Sequence, residues 1–260
     1  MKWLKRLAYL LAGLYLLVAA LLYFKQEALI FHPRVRSADH RYGDHAEEWI
    51  PLADGTRLHA LHLRGGGRGV ILYLHGNKGD NGRSLYQTRA LRDFGYDLYL
   101  VDYRGYGKSE GTTSTSAHLT TDLQAVYDRL AEAYGEDQLL LLGYSLGSGP
   151  ASYLAANNNP RATVLVAPYT SLEDMKNQFL WMFPDFLLKY DVDNAARLAQ
   201  AAGPVYVVHG TDDELIPLAM GRRLAGLREN IHLIELAGTG HRGAILHRQV
   251  PYLIKQLTAE

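Results

Sequence analysis

The sequence predicts an α/β fold in which helices cover both faces of a mostly parallel sheet. Short apolar runs alternate with helical patterns along most of the 260 residues, which is typical of parallel sheets. Most of these runs are continuous rather than alternating, as strands buried on both faces must be. An apolar content of 48% supplies a sizeable core, and α/β domains of this length often stay undivided.

The first two predicted strands form a hairpin. The runs "EEWIPL" and "TRLHALHL" alternate in polarity and flank Ala53, Asp54 and Gly55, a short turn that ends in glycine. Further strands are predicted at 70–74, 96–101, 138–142, 162–166, 205–208 and 231–236. Helical patterns separate them at 83–93, 117–134, 147–156 and 218–227. The sheet should therefore have eight strands, of which the first two are antiparallel to each other.

A long insertion separates the strands predicted at 162–166 and 205–208. We expect a short helical cap at about 170–200, over the carboxyl edge of the sheet. Its aromatic and thioether side chains are Phe179, Trp181, Met182, Phe183 and Phe186. These side chains either bind the acyl part of a substrate or simply pack the cap against the sheet.

The N-terminal segment has the composition of a transmembrane helix. Residues 7–24 are 18 consecutive residues without a charge. As a helix they would span roughly 27 Å, close to the thickness of the hydrocarbon core. Trp3, Tyr23 and Phe24 lie near its two ends, where interfacial aromatic residues are enriched. The sequence predicts a single-pass membrane anchor.

A cleaved signal peptide is the alternative for this segment. A basic start is followed by an apolar run and by Val18, Ala19 and Ala20, which suit a cleavage site. The apolar run continues past Ala20 to Phe24, which favours an anchor. The bias of basic residues towards the start, at Lys2, Lys5 and Arg6, predicts a cytoplasmic N-terminus. The remaining domain would then lie on the non-cytoplasmic side of the membrane, which is the periplasm if the protein is bacterial.

These patterns divide the chain into three parts. Residues 1–25 form the anchor, 26–46 a connector, and 47–260 the domain with its cap. The formal net charge is zero, so the composition carries no sign of nucleic-acid binding. The sequence has no cysteine, which excludes a disulfide and a cysteine nucleophile. Because no histidine–carboxylate cluster has ligand spacing, we expect neither a metal nor a cofactor.

Small residues surround a serine where the strand at 138–142 ends. Gly143, Ser145 and Gly147 form a G-x-S-x-G pattern between this strand and the following helix. Such an elbow needs small residues at both flanks because the strand and the helix approach closely. The serine then projects above the sheet beside a helix N-terminus. Gly149 lies outside the elbow, and we expect it to let the helix pack closely on the sheet.

The ends of two later strands carry residues that can activate this serine. His241 follows the last strand and is the predicted base; His247, expected on the final helix, is the alternative. Asp213 follows the strand at 205–208 and is the predicted acid, ahead of Asp212 and Glu214. The chain order is serine, acid, histidine.

The tetrahedral intermediate of acyl transfer would need two N–H donors. The backbone N–H of Leu146, directly after the serine, is one candidate. The backbone N–H of Asn77, in the loop after the strand at 70–74, is the predicted second donor. For the Asn77 side chain the alternative is that it only shapes this loop. Ser109 lies far from a strand end and is therefore not the predicted nucleophile. Asp102 is expected to hold loops together rather than to take part in the chemistry.

Together these residues resemble the α/β-hydrolase superfamily. The resemblance runs from about residue 47 to the C-terminus and includes "HGN", "DYRGYGKSEG", "GYSLGSG", "HGTDDELIP" and "GTGH" in this order. With its apolar N-terminus, the chain is similar to the membrane-anchored, serine aminopeptidase-like branch, which includes protein depalmitoylases. The resemblance implies acyl transfer to water with Ser145, Asp213 and His241 as nucleophile, acid and base.

The sequence therefore predicts a serine hydrolase that cleaves carboxylic esters or thioesters through an acyl-enzyme on Ser145. Its predicted substrate is a small-molecule or lipid-type acyl compound, and its predicted partner is the membrane. Two alternatives remain open. One is a peptidase that uses the same three residues, and the other is a non-catalytic, membrane-tethered binding protein on a hydrolase fold.

Overall fold

One eight-stranded sheet organises the computed structural model, which describes residues 1–259. Glu260, the last residue of the predicted domain, lies outside the described residues. The strands are β1 (Ala46–Pro51), β2 (Arg57–Leu63), β3 (Val70–Leu74), β4 (Asp97–Val101), β5 (Leu139–Tyr144), β6 (Ala162–Val166), β7 (Val205–Gly210) and β8 (Ile231–Leu236). The helices are α1 (Lys2–Ile30), α2 (Asn81–Gln87), α3 (Thr121–Tyr134), α4 (Ser148–Asn157), α5 (Leu172–Leu180), α6 (Asn194–Leu198), α7 (Leu218–Ala225), α8 (His241–Ala244) and α9 (Gln249–Ala259).

The strand order is β1-β2-β4-β3-β5-β6-β7-β8. Strand β2 is antiparallel to β1 and to β4, and the other neighbouring strands are parallel. The predicted mostly parallel sheet and its antiparallel first pair are thus confirmed. Every residue of β3, β4 and β5 is buried, because helices cover both faces of the sheet.

The two faces of the sheet form two apolar cores. Leu141 of β5 packs with Val126 of α3 on one face, whereas Leu140 and Leu142 belong to the core that contains Leu253 of α9. This division follows from the alternation of side chains along a strand. The central strand β5 is therefore fixed from both sides, and its carboxyl end is a rigid support for the turn that follows.

Helix α1 extends past the apolar run and ends at Ile30. It is long and apolar enough to cross a membrane, and none of its most apolar 18-residue window is buried. A signal sequence near the N-terminus can also be long and apolar enough to meet this criterion. After Ile30 the chain becomes extended, and His32 and Pro33 pair in parallel with Lys78 and Gly79 of the loop after β3. This pairing links the end of α1 to the carboxyl edge of the sheet.

The insertion between β6 and β7 forms the predicted helical cap. It contains α5, a single helical turn at Asp185–Leu187, and α6. The cap contacts α1 at two levels: the Tyr15 ring stacks on Phe183 with centroids 5.0 Å apart, and Gln26 Nε2 donates to the Leu187 carbonyl at 3.1 Å. Cap and α1 therefore stand side by side.

Candidate active site

A sharp turn presents Ser145 at the carboxyl end of β5. Ser145 has a φ of 52°, in the left-handed region that non-glycine residues seldom adopt. It begins a single helical turn, Ser145–Gly147, that leads directly into α4. The Ser148 hydroxyl donates to the Ser145 carbonyl at 2.7 Å and closes the turn. The strained backbone is therefore held by its surroundings, and the Ser145 side chain is 8% exposed.

The two elbow glycines are required by close backbone contacts. A Cβ at Gly147 would lie 2.0 Å from the Leu74 carbonyl oxygen, and one at Gly143 would lie 2.6 Å from the Gly147 carbonyl oxygen. The structure requires a glycine at position 149 for a different reason from the one predicted. A Cβ there would meet the Tyr169 hydroxyl at 2.6 Å and Val192 at 2.8 Å, so Gly149 makes room for the segments around the cap rather than for a strand.

We expect Gly147→Ala to displace the elbow. The added methyl group meets backbone atoms of β3 that cannot move away, so unfolding should become easier by about 1–3 kcal/mol. A shift of the Ser145 side chain by about 1 Å should also lower turnover about 10²-fold. Gly226→Ala is the matched control, because Gly226 is in the right-handed helical region and the nearest atom to an added Cβ is 3.5 Å away. Equal stability and turnover in the two variants would contradict this account.

A chain of hydrogen bonds joins Ser145 to His241 and His241 to Asp213. Ser145 Oγ is 3.1 Å from His241 Nε2, and His241 Nδ1 is 2.8 Å from Asp213 Oδ2. This geometry suits an imidazole that carries its proton on Nδ1 and accepts from the serine at Nε2. His247, the alternative base, lies in the turn before α9 and not on that helix, where its Nδ1 accepts from the Gln249 N–H.

Asp213 is held by a set of donors. Its Oδ1 accepts from the N–H groups of Leu215 and Ile216 at 2.9 and 2.8 Å. Burial alone would raise the pKa of the Asp213 carboxyl, but the hydrogen bonds from His209, His241 and the Ile216 backbone outweigh it and lower the pKa well below its usual range. The carboxylate therefore stays ionised beside the imidazole.

His209 and Glu214 are site residues whose roles the sequence reasoning missed. His209, at the end of β7, is fully buried with Nε2 3.4 Å from Asp213 Oδ2. Glu214 accepts the backbone N–H of His241 at 3.0 Å and so fixes the start of α8. For His209 the signal was a histidine four residues before the acid in "HGTDDE". Asp212, by contrast, accepts from the Thr211 hydroxyl and contacts neither histidine.

The two predicted oxyanion donors, Asn77 and Leu146, both border the cavity that contains Ser145. The Asn77 side chain has a separate task, because its Nδ2 donates to the carbonyl of Ile30 at the end of α1 at 3.1 Å. The Asn77 carbonyl accepts from the Tyr106 hydroxyl and from the His32 N–H, both at 3.0 Å. These bonds fix the loop and leave the Asn77 N–H free of a structural partner among residues 1–259.

Asp102 and Ser109 are parts of a buried structural cluster. The Ser109 hydroxyl accepts from the His59 N–H at 2.8 Å and donates to the Asp102 carbonyl at 2.6 Å. Burial raises the pKa of the Asp102 carboxyl to about 6 and lowers the pKa of the nearby His75 to about 4. Both shifts favour uncharged side chains behind the loop that carries Asn77.

A cavity of about 310 Å³ opens over Ser145. Its walls are almost entirely apolar and come from three parts of the chain. Helix α1 contributes Leu22, Gln26, Leu29 and Ile30. The cap contributes Leu172, Met175, Lys176, Phe179, Leu180, Phe183, Leu187 and Leu188, and the segment after Asp213 contributes Leu215 and Ile216. Of the predicted acyl-binding residues, Phe179 and Phe183 line this cavity, whereas Trp181, Met182 and Phe186 lie outside it on the exposed surface.

Comparison with known proteins relates the chain to one hydrolase family. A family model described as serine aminopeptidase, S33, matches residues 65–197, just over half of the chain. An uncharacterised protein of Mycobacterium tuberculosis is 30% identical over 86% of this chain and 83% of its own length. The lysophosphatidylserine lipase ABHD12 of Danio rerio is 31% identical over 61% of this chain, which spans only 47% of that lipase.

Solved structures show the fold independently. The esterase Pf2001 of Pyrococcus furiosus superposes with a TM-score of 0.70 at 16% identity, covering 88% of this chain and 98% of the esterase. The esterase RhEst1 of a Rhodococcus species gives a TM-score of 0.65 at 21% identity, covering 82% of this chain and 98% of the other. The predicted α/β-hydrolase fold is confirmed.

Proposed function

The chain belongs to the serine aminopeptidase S33 family of α/β hydrolases, and we propose that it is a serine hydrolase that cleaves ester or thioester bonds of acyl substrates. One observation carries this proposal. The hydroxyl of Ser145 is within 3.1 Å of an imidazole that is bonded to a buried carboxylate, at the floor of an apolar cavity. An activated hydroxyl beside a space for an apolar group suits nucleophilic attack on an acyl carbonyl.

In the proposed reaction, Ser145 Oγ attacks the acyl carbonyl while its proton passes to His241 Nε2. Asp213 stabilises the imidazolium that forms, and the N–H groups of Asn77 and Leu146 bind the oxyanion. The C–O or C–S bond of the substrate then breaks, and the leaving alcohol or thiol takes the proton from His241. Water, deprotonated by His241, releases the acid from Ser145 and restores the hydroxyl.

An apolar acyl chain is the substrate group that the cavity supports best. The polar side chains on its walls are few, and the remainder are aliphatic or aromatic. The relative named a lysophosphatidylserine lipase, at 31% identity, agrees with a lipid-type substrate. A peptidase that recognises a free amino terminus would need a carboxylate beside the nucleophile. The cavity wall, within residues 1–259, contains neither aspartate nor glutamate, which favours an esterase over an aminopeptidase.

We further propose that α1 remains attached as a single-pass anchor. Its N-terminal half contacts the folded cap through Tyr15, whose hydroxyl donates to the Met182 carbonyl at 2.9 Å. Signal-peptide cleavage after Ala20 would remove this contact. The basic residues ahead of the apolar run favour a cytoplasmic N-terminus, with the hydrolase domain on the opposite side of the membrane.

Hydrolysis of p-nitrophenyl esters of increasing chain length tests the function. We expect the full-length protein in detergent to hydrolyse them, with kcat/KM rising from acetyl to octanoyl by about tenfold or more as apolar surface is buried. The control is the same protein after inactivation by a fluorophosphonate. Absence of turnover with every ester would contradict hydrolase activity, whereas a preference for acetyl would contradict the acyl cavity alone.

A further inference from the structure

The tip of the cap, residues 179–186, exposes four large apolar side chains. Phe179 is 64% exposed, Trp181 74%, Met182 55% and Phe186 79%. A soluble surface seldom groups so many large apolar side chains, and such a patch marks contact with a partner or a membrane. Only Phe179 among these four also lines the cavity over Ser145, so the substrate cavity alone does not account for the cap tip.

The cap tip is attached to the apolar helix along several turns. Near its middle, the Tyr15 ring stacks on Phe183 and its hydroxyl bonds to the Met182 carbonyl. Nearer the domain, Gln26 is 6% exposed and bonds through both ends of its amide, to the Leu187 carbonyl at 3.1 Å and the Lys189 N–H at 2.9 Å. A membrane that surrounds α1 must therefore meet the cap tip as well.

The position of Tyr15 sets the depth of the cap tip. Tyr15 precedes Phe24, the end of the uncharged run, by nine residues, which corresponds to about 14 Å along a helix. Half the hydrocarbon core of a bilayer is roughly 15 Å thick. With residues 7–24 across the bilayer, Met182 and Phe183 lie within the acyl-chain layer of the leaflet nearest the domain.

The charged groups near the cap tip are compatible with this depth. Lys176 is close to buried and donates to Asp185 and to the Phe183 carbonyl. Lys189 pairs with Glu27 of α1 at 3.3 Å. Each of these two lysines thus has a carboxylate partner.

Helix α1 also forms part of the cavity. The lining residues of α1 lie on a single face of the helix and form one wall of the cavity; they are Leu22, Gln26, Leu29 and Ile30. Leu22 belongs to the uncharged run, so the cavity reaches from Ser145 to the boundary of the hydrocarbon layer. A volume of about 310 Å³ is at the small end of ligand cavities and suits one acyl chain.

We propose that the cap tip is embedded in the acyl-chain layer of one leaflet, and that α1 and the cap admit a monoacyl lipid ester from that leaflet directly to Ser145. The acyl chain lies between α1 and the cap while the ester group meets the Ser145 hydroxyl. The choice of an ester substrate rests on the proposed hydrolase function. The depth of the cap tip does not, because it follows from the contacts with α1.

Tryptophan fluorescence in vesicles measures the depth. The chain has three tryptophans, Trp3, Trp49 and Trp181. Trp3→Phe/Trp49→Phe leaves Trp181 alone, and the matched control Trp3→Phe/Trp181→Phe leaves Trp49 of β1. With full-length protein in phosphatidylcholine vesicles brominated on the acyl chains, we expect loss of Trp181 fluorescence and retention of Trp49 fluorescence. Equal quenching of Trp181 and Trp49 would overturn the proposal. The same result is expected if a second copy of the chain covers the cap tip, because Trp181 would then be shielded from the brominated acyl chains.

A substitution on the cap tip tests the route of the substrate. Phe186→Asp puts a charge where we expect hydrocarbon, and Tyr252→Asp is the control because Tyr252 is 60% exposed on α9. Hydrolysis of a monoacylglycerol held in the vesicles should fall about tenfold or more in Phe186→Asp only. Hydrolysis of soluble p-nitrophenyl acetate should be unchanged in both variants, because Phe186 does not line the cavity.

The outcomes separate the two proposals. Equal hydrolysis of the vesicle substrate by Phe186→Asp and Tyr252→Asp would overturn entry from the leaflet while leaving the hydrolase function intact. Failure of the wild-type protein to hydrolyse either substrate would overturn the hydrolase function. The depth of Trp181 would still be measured in that case, because fluorescence quenching requires no turnover.

Discussion

Ser145→Ala is expected to lower kcat for an octanoyl ester by about 10⁶-fold, the scale found when a nucleophilic serine is removed from a hydrolase. The variant keeps His241 and Asp213 but has no oxygen that can form the acyl-enzyme. Alanine replaces serine at a backbone position where both carry the same Cβ strain, so stability should change little. Turnover of the octanoyl ester and labelling by a fluorophosphonate probe are the two measurements.

The labelling experiment locates the nucleophile directly. The wild-type protein should carry one probe molecule on the peptide that contains Ser145, and the Ser145→Ala variant should carry none. Ser114→Ala is the control, because Ser114 is exposed and does not line the cavity over Ser145, and it should label like the wild type. Labelling of Ser145→Ala at the wild-type level would rule out Ser145 as the nucleophile.

The sheet could be predicted because buried strands have a recognisable pattern of apolar residues in the sequence. The run at 138–142 is continuous and apolar, and β5 is buried on both faces in the structure. Ser145, Asp213 and His241 could be predicted for a related reason. Each lies at the end of a strand or in the loop that follows it. Because the carboxyl ends of parallel strands meet at one edge, residues distant in the chain were expected to lie close together.

The role of α1 in the cavity could not be predicted from the sequence. Its residues are apolar on every side, so no periodicity indicates which face turns towards the protein. The contacts of Tyr15 and Gln26 with the cap depend on how two distant segments fold over the same sheet edge. A pattern within either segment cannot carry that information.

Gly149 and the Asn77 side chain show the same limit at single positions. Glycine in the first turn of α4 suggests a close approach, but the sequence does not say to which neighbour, and the neighbours are Tyr169 and Val192 rather than a strand. The Asn77 side chain was expected to shape only its own loop, whereas its amide also donates a hydrogen bond to the end of α1. In both cases the partner comes from a segment whose position only the fold determines.

Asp213→Asn is expected to lower kcat about 10⁴-fold, as the loss of the orienting carboxylate does in other serine hydrolases. The structure gives the reason at the level of single atoms. The N–H groups of Leu215 and Ile216 donate to Oδ1 and would retain the amide oxygen of the substituted side chain there. The amide NH₂ would then face His241 Nδ1 as a donor, so the imidazole would carry its proton on Nε2 and could not accept one from Ser145.

Asp212→Asn is the matched control, because Asp212 is the adjacent residue and contacts neither His241 nor Ser145. Its kcat should stay close to that of the wild type. Ser145→Ala/Asp213→Asn should be no slower than Ser145→Ala alone, because residues that act as one unit are strongly non-additive. Equal activity of Asp213→Asn and Asp212→Asn, or a double variant slowed by the product of both effects, would mean that Asp213 does not act through His241 on the serine.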